Sequence, residues 1–133
     1  MTHHAVSRIS VMILGVVIIA FGIFHFMKPD NLIVFVPEFL PGGKLWIYLV
    51  GGAFVLAGVS FIIHRQVQLS GYLLAVLLLI FVLTIHVPNY INAGDIDQKN
   101  MAFVNLLKDT ALAAFAMYIA SNARNLDLFS GYG

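Results

Sequence analysis

The stretch L-W-I-Y-L-V-G-G-A-F-V-L-A-G-V-S-F-I-I-H-R-Q-V-Q-L-S-G-Y-L-L-A-V-L-L-L-I-F-V-L-T-I-H, residues 45–86, decides the fold. Residues 45–63 and 69–85 carry no charged side chain, and only H-R-Q-V-Q separates them. A bilayer core takes about 20 mostly apolar helical residues to cross, and both runs are of that length. Core helices of a soluble bundle would show polar faces at a period of about 3.6 residues, and neither run does. Backbone groups in lipid must be satisfied within their own segment, so both runs read as helices. The short link then forces an antiparallel hairpin.

Two further runs flank this hairpin. Residues 9–26 are apolar up to His25, and residues 101–120 are broken only by Lys108-Asp109. The expected fold is all-α, a polytopic membrane four-helix bundle forming one domain over residues 1–133. Its helices are expected over about 9–26, 45–63, 69–86 and 101–122. Composition agrees: 61% of residues are hydrophobic and 10% charged, against about 45–50% and about 25% in soluble domains. A net charge of +1, with Lys and Arg scattered singly, lacks the basic footprint of a nucleic-acid binder. The chain has no cysteine, so redox chemistry would require a cofactor or a partner. Arg8 is a basic flank to the first run, but no small-residue cleavage site comes after it in H-F-M-K-P, which reads as an uncleaved anchor.

Between the first two runs lies P-D-N-L-I-V-F-V-P-E-F-L-P-G-G, residues 29–43. Pro29, Pro37 and Pro41 prevent one continuous helix, while Leu32 to Val36, Phe39 and Leu40 prevent free solvation. The expectation is a short interfacial helix or flap, N-capped by Asp30 or Asn31 and lying along the membrane surface. Pro41-Gly42-Gly43 would turn the chain into the second helix, and Glu38 is expected near His25 and His86. The tail N-L-D-L-F-S-G-Y-G, residues 125–133, reads as disordered.

Four crossings put both termini on one side with Arg8, Arg65 and Arg124. Lys28, Lys44 and Lys99 fall opposite. Lys and Arg counts set orientation, and although they are nearly tied, cytoplasmic termini are favoured. Gly15 and Gly22 lie seven residues apart, as do Gly51 and Gly58, so each pair shares a helix face. Ala111, Ala113, Ala114, Ala116 and Ala120 slim the fourth helix. Small residues of this kind let helix backbones approach in lipid.

The polar side chains gather at one end. His25 closes the first helix and His86 the third, while Tyr48 opens the second. Asn89 lies just beyond His86. Asn105 and Asp109 share a face of the fourth helix at a spacing of four, beside Lys108. Ionisable groups within a membrane are costly and are functional candidates by default; a register-fixing ion pair is the plainer reading of Lys108-Asp109. The candidate ligand-binding set is His25, Glu38, Tyr48, His86, Asn89, Asn105, Lys108 and Asp109. No catalytic residue and no metal site is assigned, because zinc wants three or four ligands. Two histidines at one depth could ligate a haem, but nothing else marks a haem pocket. Interfacial hydrogen bonding, or contact with the carbonyl of a quinone, suits them better.

Five blocks in order, H-F-M-K-P-D (25–30), V-P-E-F-L-P (36–41), I-Y-L-V-G-G (47–52), H-V-P-N (86–89) and L-L-K-D-T-A-L-A (106–113), make the chain resemble the DoxX-like membrane family over nearly its whole length. The resemblance implies a four-helix inner-membrane protein of bacteria. Some relatives are linked to quinone-dependent sulfur oxidation, others to membrane redox-defence assemblies. Many carry a glutamate about where this chain has Phe54, which argues against independent catalysis here. The function expected is a redox-linked accessory subunit binding a quinone-like or other amphipathic ligand at the outer end of the bundle. The alternative is a structural scaffold, joined to a membrane-protein partner or to further copies of itself through its Gly- and Ala-rich faces. A transporter ranks lower, since inverted repeats and broken helices are missing.

Overall fold

The computed structural model describes residues 3–123. Four helices are long and apolar enough to cross a membrane, Ala5–Met27, Lys44–Ile63, Val67–Ile91 and Ile96–Ser121. The first crossing belongs to α1, His3–Met27. The interfacial segment holds α2, Pro29–Leu32, and a 3-10 turn, Ile33–Phe35. The second crossing is α3, Lys44–Ile63. The third is composite: α4, Val67–Phe81, a π-helical turn, Val82–His86, and α5, Val87–Ile91. The fourth is α6, Ile96–Ser121. The fold is the expected all-α bundle, and the tail at residues 125–133 lies outside the described residues.

The hairpin between α3 and α4 is as tight as its sequence implies. His64 and Gln66 take left-handed backbone angles, φ 56° and 53°, which reverse the chain within three residues. The Arg65 N–H donates to Ser60 O at 3.1 Å, and Ser60 Oγ donates to Arg65 O. Arg8 reaches over from α1 and caps the end of α3. Its Nη1 donates to Phe61 O at 2.8 Å and its Nη2 to Ile62 O at 2.6 Å. The last carbonyls of a helix have no partner within it and carry the negative end of its dipole. A buried guanidinium meets both needs. Arg8 is therefore built into the bundle, and α1 starts well before residue 9.

The glycines form the seam between α1 and α3. A Cβ built on Gly58 would come within 2.5 Å of Gly15 O, and one on Gly22 within 2.7 Å of Gly51 O. The two antiparallel backbones thus touch at two levels, where no larger residue fits. Gly71 does the same between α4 and α6, its Cβ position being 2.9 Å from Ala116 O. The core forms where the pairs meet, around Val11, Leu14, Ile18, Phe54, Phe61, Leu74, Leu78, Ala113, Ala116 and Ile119. Within each crossing only 28–33% of the most apolar window is buried inside the chain. The remaining Leu, Ile, Val and Phe face outward, as an integral membrane protein requires.

Further boundaries differ from the sequence reading, each for a local reason. The third crossing does not stop at His86: the widened turn at Val82–His86 carries the helix through Pro88 to Ile91. The fourth helix begins at Ile96, before the apolar run, because Asp95 Oδ1 accepts from the Gln98 N–H at 2.8 Å while Gln98 Oε1 accepts from the Gly94 N–H at 3.1 Å. This is a capping arrangement of the D-x-x-Q kind. The interfacial helix is not capped by Asp30 or Asn31. Its N-cap is Lys28, and the Asp30 carboxylate pairs with Lys44 Nζ at 2.6 Å.

The Gly42–Gly43 turn forms as expected, at φ 104° and 49°. Trp46 Nε1 donates to Pro41 O at 2.6 Å and anchors it.

Candidate functional site

Besides Arg8 and Ser60 near the α3–α4 turn, the buried polar side chains among the described residues are His86 and Asp109. His86 Nε2 lies 2.7 Å from Asp109 Oδ2, and the two residues are 9% and 7% exposed. The carboxylate accepts, so Nε2–H donates. Lys108 Nζ sits 4.0 Å from the other carboxylate oxygen. The same ammonium lies 5.1 Å from the centre of the Phe21 ring on α1, a cation–π distance. One carboxylate thus faces an imidazole from the third crossing and an ammonium from its own helix. Phe21 ties both to the first.

The π-turn explains why His86 points inward. Pro88 has no N–H, so Thr84 O loses its helical donor. The Val87 N–H bonds instead to Val82 O, five residues back. Thr84 Oγ1 donates to Ile80 O at 2.7 Å and further engages this stretch of backbone. The extra residue in the turn shifts the helical register and places His86 against α6. Such π-bulges occur frequently at functional sites. The imidazole Nδ1 is buried and has no hydrogen-bond partner among the described residues.

The other candidates are distributed differently. His25 is half-buried at the same end of the bundle. Its Nδ1 donates to Phe21 O at 2.6 Å, and its ring packs edge-on against Phe54 at 5.2 Å. Phe54 in turn meets Phe81 edge-on at 6.3 Å, so aromatic rings line the inner side of His25 where a polar group had been expected. Asn105 is half-buried and makes no side-chain hydrogen bond to another described residue, leaving Asp109 to His86 and Lys108.

Tyr48 is exposed and stacks on Phe26 at 5.8 Å, and Asn89 is exposed on α5. Glu38 is exposed, with no ion pair to another described residue. The segment that carries it packs through α2 on α1 and α3, and Val34 and Phe39 remain 76% and 80% exposed. Three prolines and a glycine pair hold this segment beside the first and second crossings.

Sequence reasoning missed Phe21, which lies against Lys108, and Phe54 and Phe81 on the inner side of His25. Their spacing looks like that of any apolar residue in a spanning helix. It also missed Arg8 as a cap. The π-turn had a signal, Thr84 and Pro88 on either side of His86. Among the described residues no three His, Asp or Glu side chains converge as a metal site would need.

A family described as Domain of unknown function (DUF8561) matches residues 14–120, which include every element of this cluster. No curated protein and no solved structure matches the chain.

Proposed function

We propose that this chain, which belongs to the DUF8561 family, is an accessory subunit of a redox-linked membrane assembly. It binds a quinone-like or other amphipathic ligand beside His86, Asp109 and Lys108. The observation that carries this reading is the buried His86–Asp109 pair, with its imidazole Nδ1 unpartnered among the described residues. A buried polar atom without a partner costs about 1–3 kcal/mol, and in lipid no solvent is at hand to relieve it. A polar head group would do so, while the apolar faces around it hold a tail. Electrons would come from a partner protein, since the chain has no cysteine. The resemblance to DoxX-like proteins points the same way, and with it go a bacterial inner membrane and cytoplasmic termini.

The scaffold reading loses part of its ground. The glycine faces that would grip a partner are already used inside the chain, between α1 and α3. Of the alanines, Ala113, Ala116 and Ala120 are buried as well, leaving Ala111 and Ala114 exposed.

The test is ligand binding by the detergent-solubilised chain, using a short-chain quinone and its quinol. His86→Ala should abolish saturable binding of either form while thermal unfolding stays cooperative. Equal binding by wild type and variant would refute the proposal.

A further inference from the structure

We infer that the group recognised at His86 is a hydroxyl donor, of the phenol or hydroquinone class, and that a carbonyl acceptor is discriminated against. The inference rests on the reading above and specifies its ligand. It comes from how the protons of the cluster are placed. Asp109 Oδ2 takes the Nε2–H of His86. Asp109 and Lys108, one negative and one positive charge, balance each other at 4.0 Å. A neutral imidazole keeps the cluster at zero net charge. An imidazolium would leave two cations on one carboxylate, a net positive charge beside an apolar interior, which is unfavourable. In a neutral imidazole with Nε2 protonated, Nδ1 carries a lone pair and no hydrogen.

That lone pair can only accept. Its neighbours within the turn do not supply a donor: the Val87 N–H is committed to Val82 O, and Pro88 has none. The Thr84 hydroxyl is committed to Ile80 O. An incoming O–H therefore completes the site, whereas a quinone carbonyl would set two lone pairs against each other.

Nδ1 is shielded within the bundle, so a ligand reaches it by parting helices. The closely apposed pairs are α1 with α3, α4 with α6, α5 with α6, and α3 with α4. One contact between α1 and α6 is Lys108 over Phe21, a flexible ammonium that can swing aside and open a way in from the lipid.

The experiment uses the full chain, labelled with 15N-histidine, in detergent micelles. Three probes of one skeleton are titrated: a decyl-quinone, its quinol, and the quinol dimethyl ether, which has no O–H. The His86 signal is assigned by its absence in His86→Gln. The quinol should move the Nδ1 resonance and saturate at about tenfold lower concentration than the other two probes, the worth of one hydrogen bond. His86→Gln, whose amide can donate to Asp109 and still accept, should retain part of the preference. His86→Phe should lose it. Quinone binding as tight as quinol, or tighter, overturns the donor assignment and leaves a ligand site at His86. No saturable shift with any probe overturns the inference and the ligand-binding reading together.

Discussion

His86 Nε2 and Asp109 Oδ2 meet at 2.7 Å across 23 residues of chain, joining the third crossing to the fourth inside the bundle. The pair lies in the half of the molecule where Phe21 and His25 end α1. That contact, and the packing that holds it, can be probed residue by residue.

Removing one partner of a buried hydrogen bond leaves the other group unsatisfied, which costs about 1–3 kcal/mol and more when that group is charged. Asp109→Ala should therefore lower the thermal midpoint in detergent far more than Asp109→Asn, which keeps an acceptor for Nε2–H. The double change His86→Phe with Asp109→Leu should recover much of the loss. Additive losses across this cycle would mean that the two residues are not coupled.

Pro88→Ala restores an N–H to the turn and lets Thr84 O regain its helical bond. The π-turn should relax toward regular helix and rotate His86 away from α6. The expected signature is a smaller His86–Asp109 coupling energy in the same cycle, with helix content by circular dichroism unchanged or slightly raised. An undiminished coupling would show that Pro88 does not set the register of His86.

Gly58→Ala and Gly52→Ala separate packing from propensity on one helix. A Cβ at Gly58 meets Gly15 O and Ile19 Cγ1 at 2.5 Å, whereas one at Gly52 meets nothing within 4 Å. The first change should destabilise by about 1–3 kcal/mol through overpacking. The second should be neutral or stabilising by up to about 1 kcal/mol. Chemical denaturation in mixed micelles reads both.

Arg8→Ala removes two hydrogen bonds to the last carbonyls of α3. Bonds to a charged group are worth about 1.5–3 kcal/mol each, so a clear fall in thermal midpoint is expected. Arg8→Lys, a single point donor in place of a fork, should fall between. If Arg8→Ala melts like wild type, the cap contributes no stability.

The absence of cysteine makes topology simple to test. A single cysteine at Gln66, in the α3–α4 turn, and one at Gly94, before α6, should react with a membrane-impermeant maleimide from opposite faces of sealed vesicles. Labelling of both from the same face would contradict four crossings.

How much of this could be read in advance depends on what each feature needs. The spanning helices come from long apolar runs, since lipid leaves the backbone no alternative partner. The glycine seam was legible too, because Gly15, Gly22, Gly51 and Gly58 repeat at a helical spacing. Asp109 could be recognised as inward-facing from its cost in lipid, yet Lys108, Asn105 and either of His25 and His86 were candidates for its partner.

The sequence by itself determined that this chain is a helical membrane protein with glycine-lined contacts and few ionisable groups. Those properties are set one segment at a time, by hydrophobicity and side-chain size. Only the tertiary structure decided that His86 takes Asp109 and that Phe54 stands edge-on to both His25 and Phe81. Each of these turns on the rotation of one helix against another. A single extra residue in the turn before Pro88 changes that rotation, and composition does not register it.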